Sequence, residues 1–112
     1  MEYRKLVRDK VPEIIEKDGK KAIYTNQALK SNKDFEYALQ NKLVEEVLGL
    51  LRASSYEKKV EEMADIHEVL LALDDLLGPE IIEEKRKDKR EKKGAFFERY
   101  YLISVEDYGN ED

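Results

Sequence analysis

Two clusters of carboxylates interrupt sequence patterns that otherwise look like the apolar faces of helices. The segment KLVEEVLGLL carries two adjacent acids, and the segment VEEMADIHEVL carries four within about two helical turns. The six residues are Glu45, Glu46, Glu61, Glu62, Asp65 and Glu68. Carboxylates at such spacing can hold a hard divalent cation or take a proton from an attacking water. The direction in which each acid points therefore decides whether the chain can do this chemistry.

Helical periodicity places Glu62 and Asp65 on the apolar side of their segment. Each residue of an α-helix advances by about 100° around the axis. The positions i+4, i+7 and i+11 from Glu62 share its face, and all three are apolar: Ile66, Val69 and Leu73. Asp65 falls at the edge of the same apolar stripe.

Glu46 has the equivalent place in the preceding segment, three residues after Leu43 and four before Leu50. If the two segments pack as a helical hairpin, Glu46, Glu62 and Asp65 converge. Two carboxylates about 4 Å apart repel by roughly 4 kcal/mol at an effective dielectric near 20. Burial adds a desolvation penalty, so such a group needs protonation, ion pairs with Lys or Arg, or a bound cation.

The expected cation is a hard ion such as Mg²⁺ or Mn²⁺, because the chain offers oxygen ligands, a single histidine and no cysteine. Ion pairs are the structural alternative. Lys42 lies four residues before Glu46, and Lys58 lies four residues before Glu62. An ordinary solvated face is the simpler interpretation for the three acids further from the apolar stripe, which are Glu45, Glu61 and Glu68.

The elements that must position these acids are helices. A first, short helix is predicted with Asp9 as its N-cap, Pro12 in its first turn and Gly19 at its end. A second helix starts from a capping arrangement at Ser31 and keeps its apolar periodicity as far as Ala53.

A third helix is predicted from about Tyr56 to Leu77, closed by Gly78 and Pro79. The charged stretch EIIEEKRKDKREKK continues as a further helix that ends at Gly94. Two segments favour strands that would pair with each other: KAIYT at 21–25 and FFERYYLISV at 96–105. The predicted fold is a single, mainly all-α domain over 1–112. Its core is an antiparallel helical hairpin within a small bundle, with a short β element near the termini.

Composition excludes several classes of function. The chain has 112 residues, 42% of them charged, and a net charge of −5, which disfavours binding to anionic polymers. The absence of cysteine excludes disulfides and predicts a reducing cytoplasm. No apolar run approaches the roughly 20 residues of a membrane helix, so no membrane partner is expected.

The segments KLVEEVLG and EEMADIHEVL resemble the all-α nucleoside triphosphate pyrophosphohydrolases, which include MazG-like proteins and phosphoribosyl-ATP pyrophosphohydrolases. The signature of that superfamily is ExxE followed, after a spacer, by ExxD. The opening KLVRDKVPEII and the later KRKDKREKKGAFFERYYL resemble its phosphoribosyl-ATP-pyrophosphohydrolase-like branch. The resemblance thus extends over nearly the whole chain.

The resemblance implies a Mg²⁺-dependent hydrolase that cleaves a nucleoside triphosphate to a monophosphate and pyrophosphate. It also implies a homo-oligomer. Glu62 and Asp65 match the second motif, Glu46 matches the first acid of ExxE, and these three would bind the metal. Glu45 matches the acid that often precedes ExxE. Glu45 or Glu68 would orient the attacking water.

One position departs from that signature, because Gly49 stands where the second glutamate of ExxE is expected. Glycine inside a helix costs up to about 1 kcal/mol relative to alanine, so its presence calls for another reason. Glycine allows a close approach by another helix or a ligand. It also removes one metal ligand, although Mg²⁺ commonly binds through one or two carboxylates together with water and substrate phosphates.

Two basic segments are candidates for binding the substrate's phosphates. The resemblance favours Lys5, Arg8 and Lys10 in the opening segment, and Lys89 and Arg90 would act if the charged helix packs beside the hairpin. The alternatives are a basic surface arm and a solvated helix laced with salt bridges. Acids interleaved in the charged stretch disfavour nucleic acid as a partner.

Three hypotheses follow. The first is the Mg²⁺-dependent nucleotide pyrophosphohydrolase. The second is a catalytically weakened relative, with Gly49 in place of a metal-binding glutamate, that binds a nucleotide or a protein partner. The third is a helical scaffold or nucleic-acid accessory protein that uses the basic helix.

Overall fold

The structure is a computed structural model that describes residues 4–108, and it contains four α-helices in that range. They are α1 (Val11–Lys17), α2 (Asn32–Arg52), α3 (Tyr56–Leu77) and α4 (Pro79–Lys93). The predicted all-helical class is confirmed. The chain divides into two compact units, of which the first ends at Pro79 and the second begins at Glu80.

Helix α1 begins one residue later than the sequence predicts. Its N-cap is Lys10, not Asp9, and no side chain caps the helix. Asp9 instead lies within the turn that the Val11 amide closes by donating to the Arg8 carbonyl at 3.0 Å. Gly19 follows the helix with φ +81°, a backbone conformation that favours glycine.

Helices α2 and α3 begin as their sequences predict. The Ser31 hydroxyl accepts a hydrogen bond from the Asp34 amide at 3.1 Å, and the Ser55 hydroxyl accepts one from the Lys58 amide at 3.2 Å. Each bond satisfies an amide that has no partner inside its helix. Gly78 is the C-cap of helix α3, and its φ of +114° is a backbone conformation that favours glycine.

The α2–α3 hairpin forms the core of the first unit. Leu39 packs with Val69 and Leu73, and these are among only four hydrophobic residues buried in the described range. Leu39 near the start of α2 contacts the second half of α3, whereas Gly49 near the end of α2 contacts Glu62 in the first half of α3. The helices are therefore antiparallel, as predicted. This places the acids of the two motifs opposite each other.

The N-terminal segment is fixed to this hairpin by Leu6, which packs against the core. Its neighbour Arg8 remains more than half exposed. The first three residues of the predicted extended opening lie outside the described range.

The second unit consists of most of α4 and the segment that follows it. In this unit the Arg90 guanidinium lies 5.7 Å from the ring centroid of Phe97. No β-strand forms in residues 4–108, so the predicted short β element is absent from the described chain. Residues 96–105 instead leave their apolar side chains exposed, with Phe96 at 98%. A lone strand leaves its backbone donors and acceptors without partners, so β-rich composition alone does not form a sheet.

Within residues 4–108, no helix combines the length and apolar character that a bilayer-spanning segment requires.

Candidate metal centre

Glu46 of α2 and Glu62 and Asp65 of α3 meet in the hairpin. One carboxylate oxygen from each lies within 4.8 Å of the corresponding oxygens of the other two. All three residues are half-buried, and the Glu46 side chain is only 13% exposed. The helical wheel predicted this convergence, and we call these three residues the acid cluster.

Gly49 is the residue that makes room for the acid cluster. A Cβ atom at this position would lie 2.7 Å from Glu62 Cδ, 2.7 Å from Oε2 and 2.9 Å from Oε1. Real Cβ atoms essentially never approach other heavy atoms so closely. Gly49 is therefore more than a lost ligand position, because any side chain there would displace the Glu62 carboxylate.

The Glu62 carboxylate is held in this position without full hydrogen bonding. Its Oε2 atom is buried and has no hydrogen-bond partner in the described chain. A buried carboxylate oxygen without a hydrogen-bond donor destabilises the fold by roughly 1–3 kcal/mol. A cation bound at this point would supply the missing partner. The predicted ion pair between Lys58 and Glu62 does not form within residues 4–108.

Crowding of the acids changes the titration of Glu46. Burial raises the pKa of the Glu46 carboxyl above its ordinary value. The hydrogen bond that protonated Glu46 makes with Glu62, and the charge of Asp65, raise it further, whereas the charge of Lys42 opposes the change. Each of these effects except that of Lys42 disfavours ionisation of Glu46. The same crowding would favour a divalent cation.

Lys42 is a cation that contacts two of the acids. Its Nζ lies 3.5 Å from Glu46 Oε1 and 3.3 Å from Glu45 Oε2, and its side chain is only 18% exposed. The ion-pair alternative is therefore confirmed for Glu46. Glu45 itself is exposed at the border of the acid cluster.

Arg8 also contacts two of the acids. Its Nη2 donates to Asp65 Oδ1 at 2.6 Å, and its Nη1 lies 3.8 Å from Glu68 Oε1. The sequence predicted Arg8 as a ligand for phosphate, but in this structure it binds a member of the acid cluster. Glu68 is exposed, as the solvated-face interpretation predicted.

The donor set fits a hard divalent cation. All candidate ligands are carboxylate oxygens, which Mg²⁺ and Mn²⁺ prefer. Lys42 and Arg8 contact Glu46 and Asp65, but neither forms an ion pair with Glu62. Within residues 4–108, Lys42 and Arg8 therefore leave the buried Oε2 of Glu62 unsatisfied.

The remaining predicted phosphate ligands lie in three parts of the chain. Lys5 lines a cavity beside the acid cluster, together with Lys42 and Glu45. Lys10 is exposed at the N-cap of α1. Lys89 and Arg90 are exposed residues of α4 in the second unit.

Tyr37 and Asn41 also line that cavity, and the sequence analysis did not single them out. The signal was present in their spacing, because they precede Glu45 by eight and four residues and so share its face of α2. Neither residue type is charged, and a search based on acids and bases passes over them.

Comparison with protein-family models, with curated proteins and with solved structures finds no match to this chain. The superfamily suggested by the two acidic motifs therefore stays a prediction.

Proposed function

We propose that this chain is a Mg²⁺-dependent nucleotide pyrophosphohydrolase, which cleaves a nucleoside triphosphate or a related nucleotide to a monophosphate and pyrophosphate. The observation that carries the proposal is the buried Oε2 of Glu62, which has no hydrogen-bond partner in the described chain. Glu62 belongs to a cluster in which one carboxylate oxygen each of Glu46, Glu62 and Asp65 lie within 4.8 Å of one another. Glu46, Glu62 and Asp65 would hold Mg²⁺ or Mn²⁺. When bound, the ion supplies positive charge that offsets the charge of the phosphates.

The other residues of the hairpin have separate roles in this proposal. Glu45 is exposed beside the cluster and lines the adjacent cavity, so its carboxylate can orient a water and accept its proton. The water oxygen bonds to the α-phosphorus, and the bond from that phosphorus to the bridging oxygen breaks. The electron pair of that bond leaves with pyrophosphate. Glu68 is the second candidate base.

The cations position the substrate and the acids. Lys5 and Lys42 line the cavity that adjoins Glu45 and are placed to contact phosphate oxygens. Arg8 forms an ion pair with Asp65 and is available to a phosphate if that ion pair opens.

The test is pyrophosphate release from a panel of nucleoside triphosphates, with Mg²⁺ and with a chelator. Glu62→Gln and Asp65→Asn should each lower the rate by at least about a hundredfold, because each removes a charged ligand without changing its shape. Glu61→Gln is the matched control, since Glu61 is an exposed acid on the same helix. Full activity in either ligand variant, or activity independent of Mg²⁺, would refute the proposal.

A second candidate function is nucleotide binding without turnover, which the glycine at position 49 favours because a fourth acidic ligand is missing. Thermal melting separates the two candidates. Stabilisation by Mg²⁺ and a nucleotide without release of pyrophosphate would identify the binding protein. Stabilisation with release would identify the enzyme.

The homo-oligomer stays a prediction. The hairpin leaves large apolar side chains exposed, including Val44 at 57%, Leu51 at 75% and Leu71 at 57%. A second copy would cover such a face. Sedimentation of the full chain measures this directly.

A further inference from the structure

A cavity of about 490 Å³ opens in the first unit, beside the acid cluster. Its walls come from three parts of the chain: the N-terminal segment at 4–6, the loop at 28–29 and one face of α2. Ligand cavities in proteins commonly span roughly 300–1,000 Å³, so this one has the size of a small-molecule site.

The α2 wall is a single helical stripe. Its members are Asp34, Tyr37, Ala38, Asn41, Lys42 and Glu45. Their offsets of three, four, seven, eight and eleven residues from the first member place all six on one side of the helix. The stripe therefore leads along α2 from its first turn to the residue before Glu46.

The cavity changes in chemistry along this stripe. Asp34 and Tyr37 lie at the end near the helix start, and Tyr37 is 67% exposed. The apolar residues Leu6 and Leu29 also line the cavity. Asn41 follows, with an amide that can both donate and accept hydrogen bonds. Lys42 and Glu45 form the end that adjoins the acid cluster.

This order corresponds to the parts of a nucleotide. An exposed aromatic ring offers a stacking surface to a base, and a neighbouring amide can hydrogen-bond to the edge of that base. Lys42 belongs to both the cavity wall and the acid cluster, since its Nζ lies 3.5 Å from Glu46 Oε1. A molecule with its base at Tyr37 would thus direct its phosphates toward Glu46.

We propose that this cavity holds the base and sugar of the nucleotide, with Tyr37 as the stacking surface and Asn41 as the hydrogen-bonding residue. The inference rests on the proposed function, because the acid cluster gives the phosphates their place. It assigns specificity to the stripe on α2 and leaves the chemistry of hydrolysis to the acids.

The test compares two probes that share phosphates but differ in the nucleoside. Calorimetry with Mg²⁺ would measure binding of a non-hydrolysable α,β-methylene nucleoside triphosphate and of inorganic tripolyphosphate. Tyr37→Leu should weaken binding of the nucleotide by about tenfold and that of tripolyphosphate by less than twofold. Asn41→Ala should change the order of preference among the four bases.

Tyr56→Leu is the matched control, since Tyr56 is 81% exposed at the start of α3 and does not line the cavity. It should leave both affinities unchanged. Equal weakening of both probes by Tyr37→Leu, no weakening of either, or the same loss in the control would overturn the inference. Tyr37 is exposed, so the variant should fold, and helical circular dichroism verifies this before binding is measured.

The same data separate this inference from the proposed function. If tripolyphosphate and nucleotide bind equally well and both are unaffected by Tyr37→Leu, the cavity assignment fails while a metal-dependent hydrolase stands. If Tyr37→Leu weakens nucleotide selectively but no pyrophosphate is ever released, the reaction fails while the nucleotide site stands.

Discussion

Acidic side chains are treated in opposite ways by the α2–α3 hairpin and by α4. In α4 each described acidic contact is local and exposed. Arg86 Nε donates to Glu83 Oε2 at 2.9 Å, and Lys92 Nζ lies 3.3 Å from Asp88 Oδ2. These pairs are three and four residues apart along one helix, so solvent and a neighbouring cation share each charge.

In the hairpin, acids from two helices face each other. Glu46, Glu62 and Asp65 meet within 4.8 Å, and Gly49 removes the side chain that would keep Glu62 away. The contrast shows in titration: Arg86 holds the pKa of Glu83 below its ordinary value, whereas burial holds the pKa of Glu46 above it. Charged residues are denser in α4, but among the described residues the acids that are crowded and half-buried are those of the hairpin. A bound cation would relieve that crowding.

The largest effect is expected where the hairpin is made to resemble α4 by releasing Glu62 into solvent. Gly49→Ala places a Cβ where Glu62 now lies, so the carboxylate must move. Metal-dependent activity and the affinity for Mg²⁺ should both fall by at least about tenfold. Without metal the variant should melt no lower than the parent, because alanine favours the helix by up to about 1 kcal/mol and the acids separate.

Leu48→Ala is the control for this experiment, since Leu48 is the adjacent residue and is 40% exposed. It should leave the affinity for Mg²⁺, measured by titration calorimetry, unchanged. Normal affinity in Gly49→Ala would show that the close approach of Glu62 has no part in holding an ion.

A smaller effect is expected at Arg8, an exposed cation that reaches the acid cluster. Its ion pair with Asp65 resembles those of α4, and the two side chains are 55% and 39% exposed. Arg8→Gln should therefore raise the affinity for Mn²⁺ by about fivefold or less, which corresponds to an exposed pair of at most about 1 kcal/mol. Electron paramagnetic resonance of free and bound Mn²⁺ measures this without substrate.

Arg86→Gln is the matched control, because Arg86 forms the same kind of ion pair in α4. It should not change Mn²⁺ affinity. A lower affinity in Arg8→Gln would mean that Arg8 orients Asp65 for the metal more than it competes with it.

The same contrast explains how much could be predicted from the sequence. Helical periodicity located α2 and α3, and the capping arrangement at Ser31 located the start of α2. The helical wheel placed Glu46, Glu62 and Asp65 on the apolar side of their helices. These are local rules with a fixed period. The role of Gly49 required the distance between two helices, which no local rule supplies.

The predicted strands did not form in the described chain, and Arg8 makes a contact that the sequence did not predict. The segments at 21–25 and 96–105 have the composition of strands, but a strand exists only with a partner, and that is a tertiary property. Arg8 was assigned to phosphate because of its type and neighbours. Its contact with Asp65, 57 residues away, depends on how the N-terminal segment crosses the hairpin.

The effects of pH on Glu46 and Glu83 should have opposite signs. The folded chain binds the Glu46 proton more tightly than the unfolded chain does, since the folded pKa is raised above 4.5. Ionised Glu46 therefore lowers the free energy of unfolding as pH rises from 4.5 through the raised pKa. Glu83 has a lowered pKa, so its contribution is present above 4.5 and is lost as pH falls through the folded pKa.

The smallest expected effect is on the melting temperature, compared between each variant and the parent in the absence of metal. Glu46→Gln should melt higher than the parent at pH 7, and the difference should disappear below pH 4.5, where both chains are neutral at this position. Lys42 keeps Glu45 as a partner in the variant. Glu83→Gln should melt the same or slightly lower at pH 7, and added salt should remove the change because the pair is exposed. A Glu46→Gln chain that melts lower than the parent at pH 7 would show that Lys42 already compensates Glu46, and the contrast between hairpin and α4 would not hold.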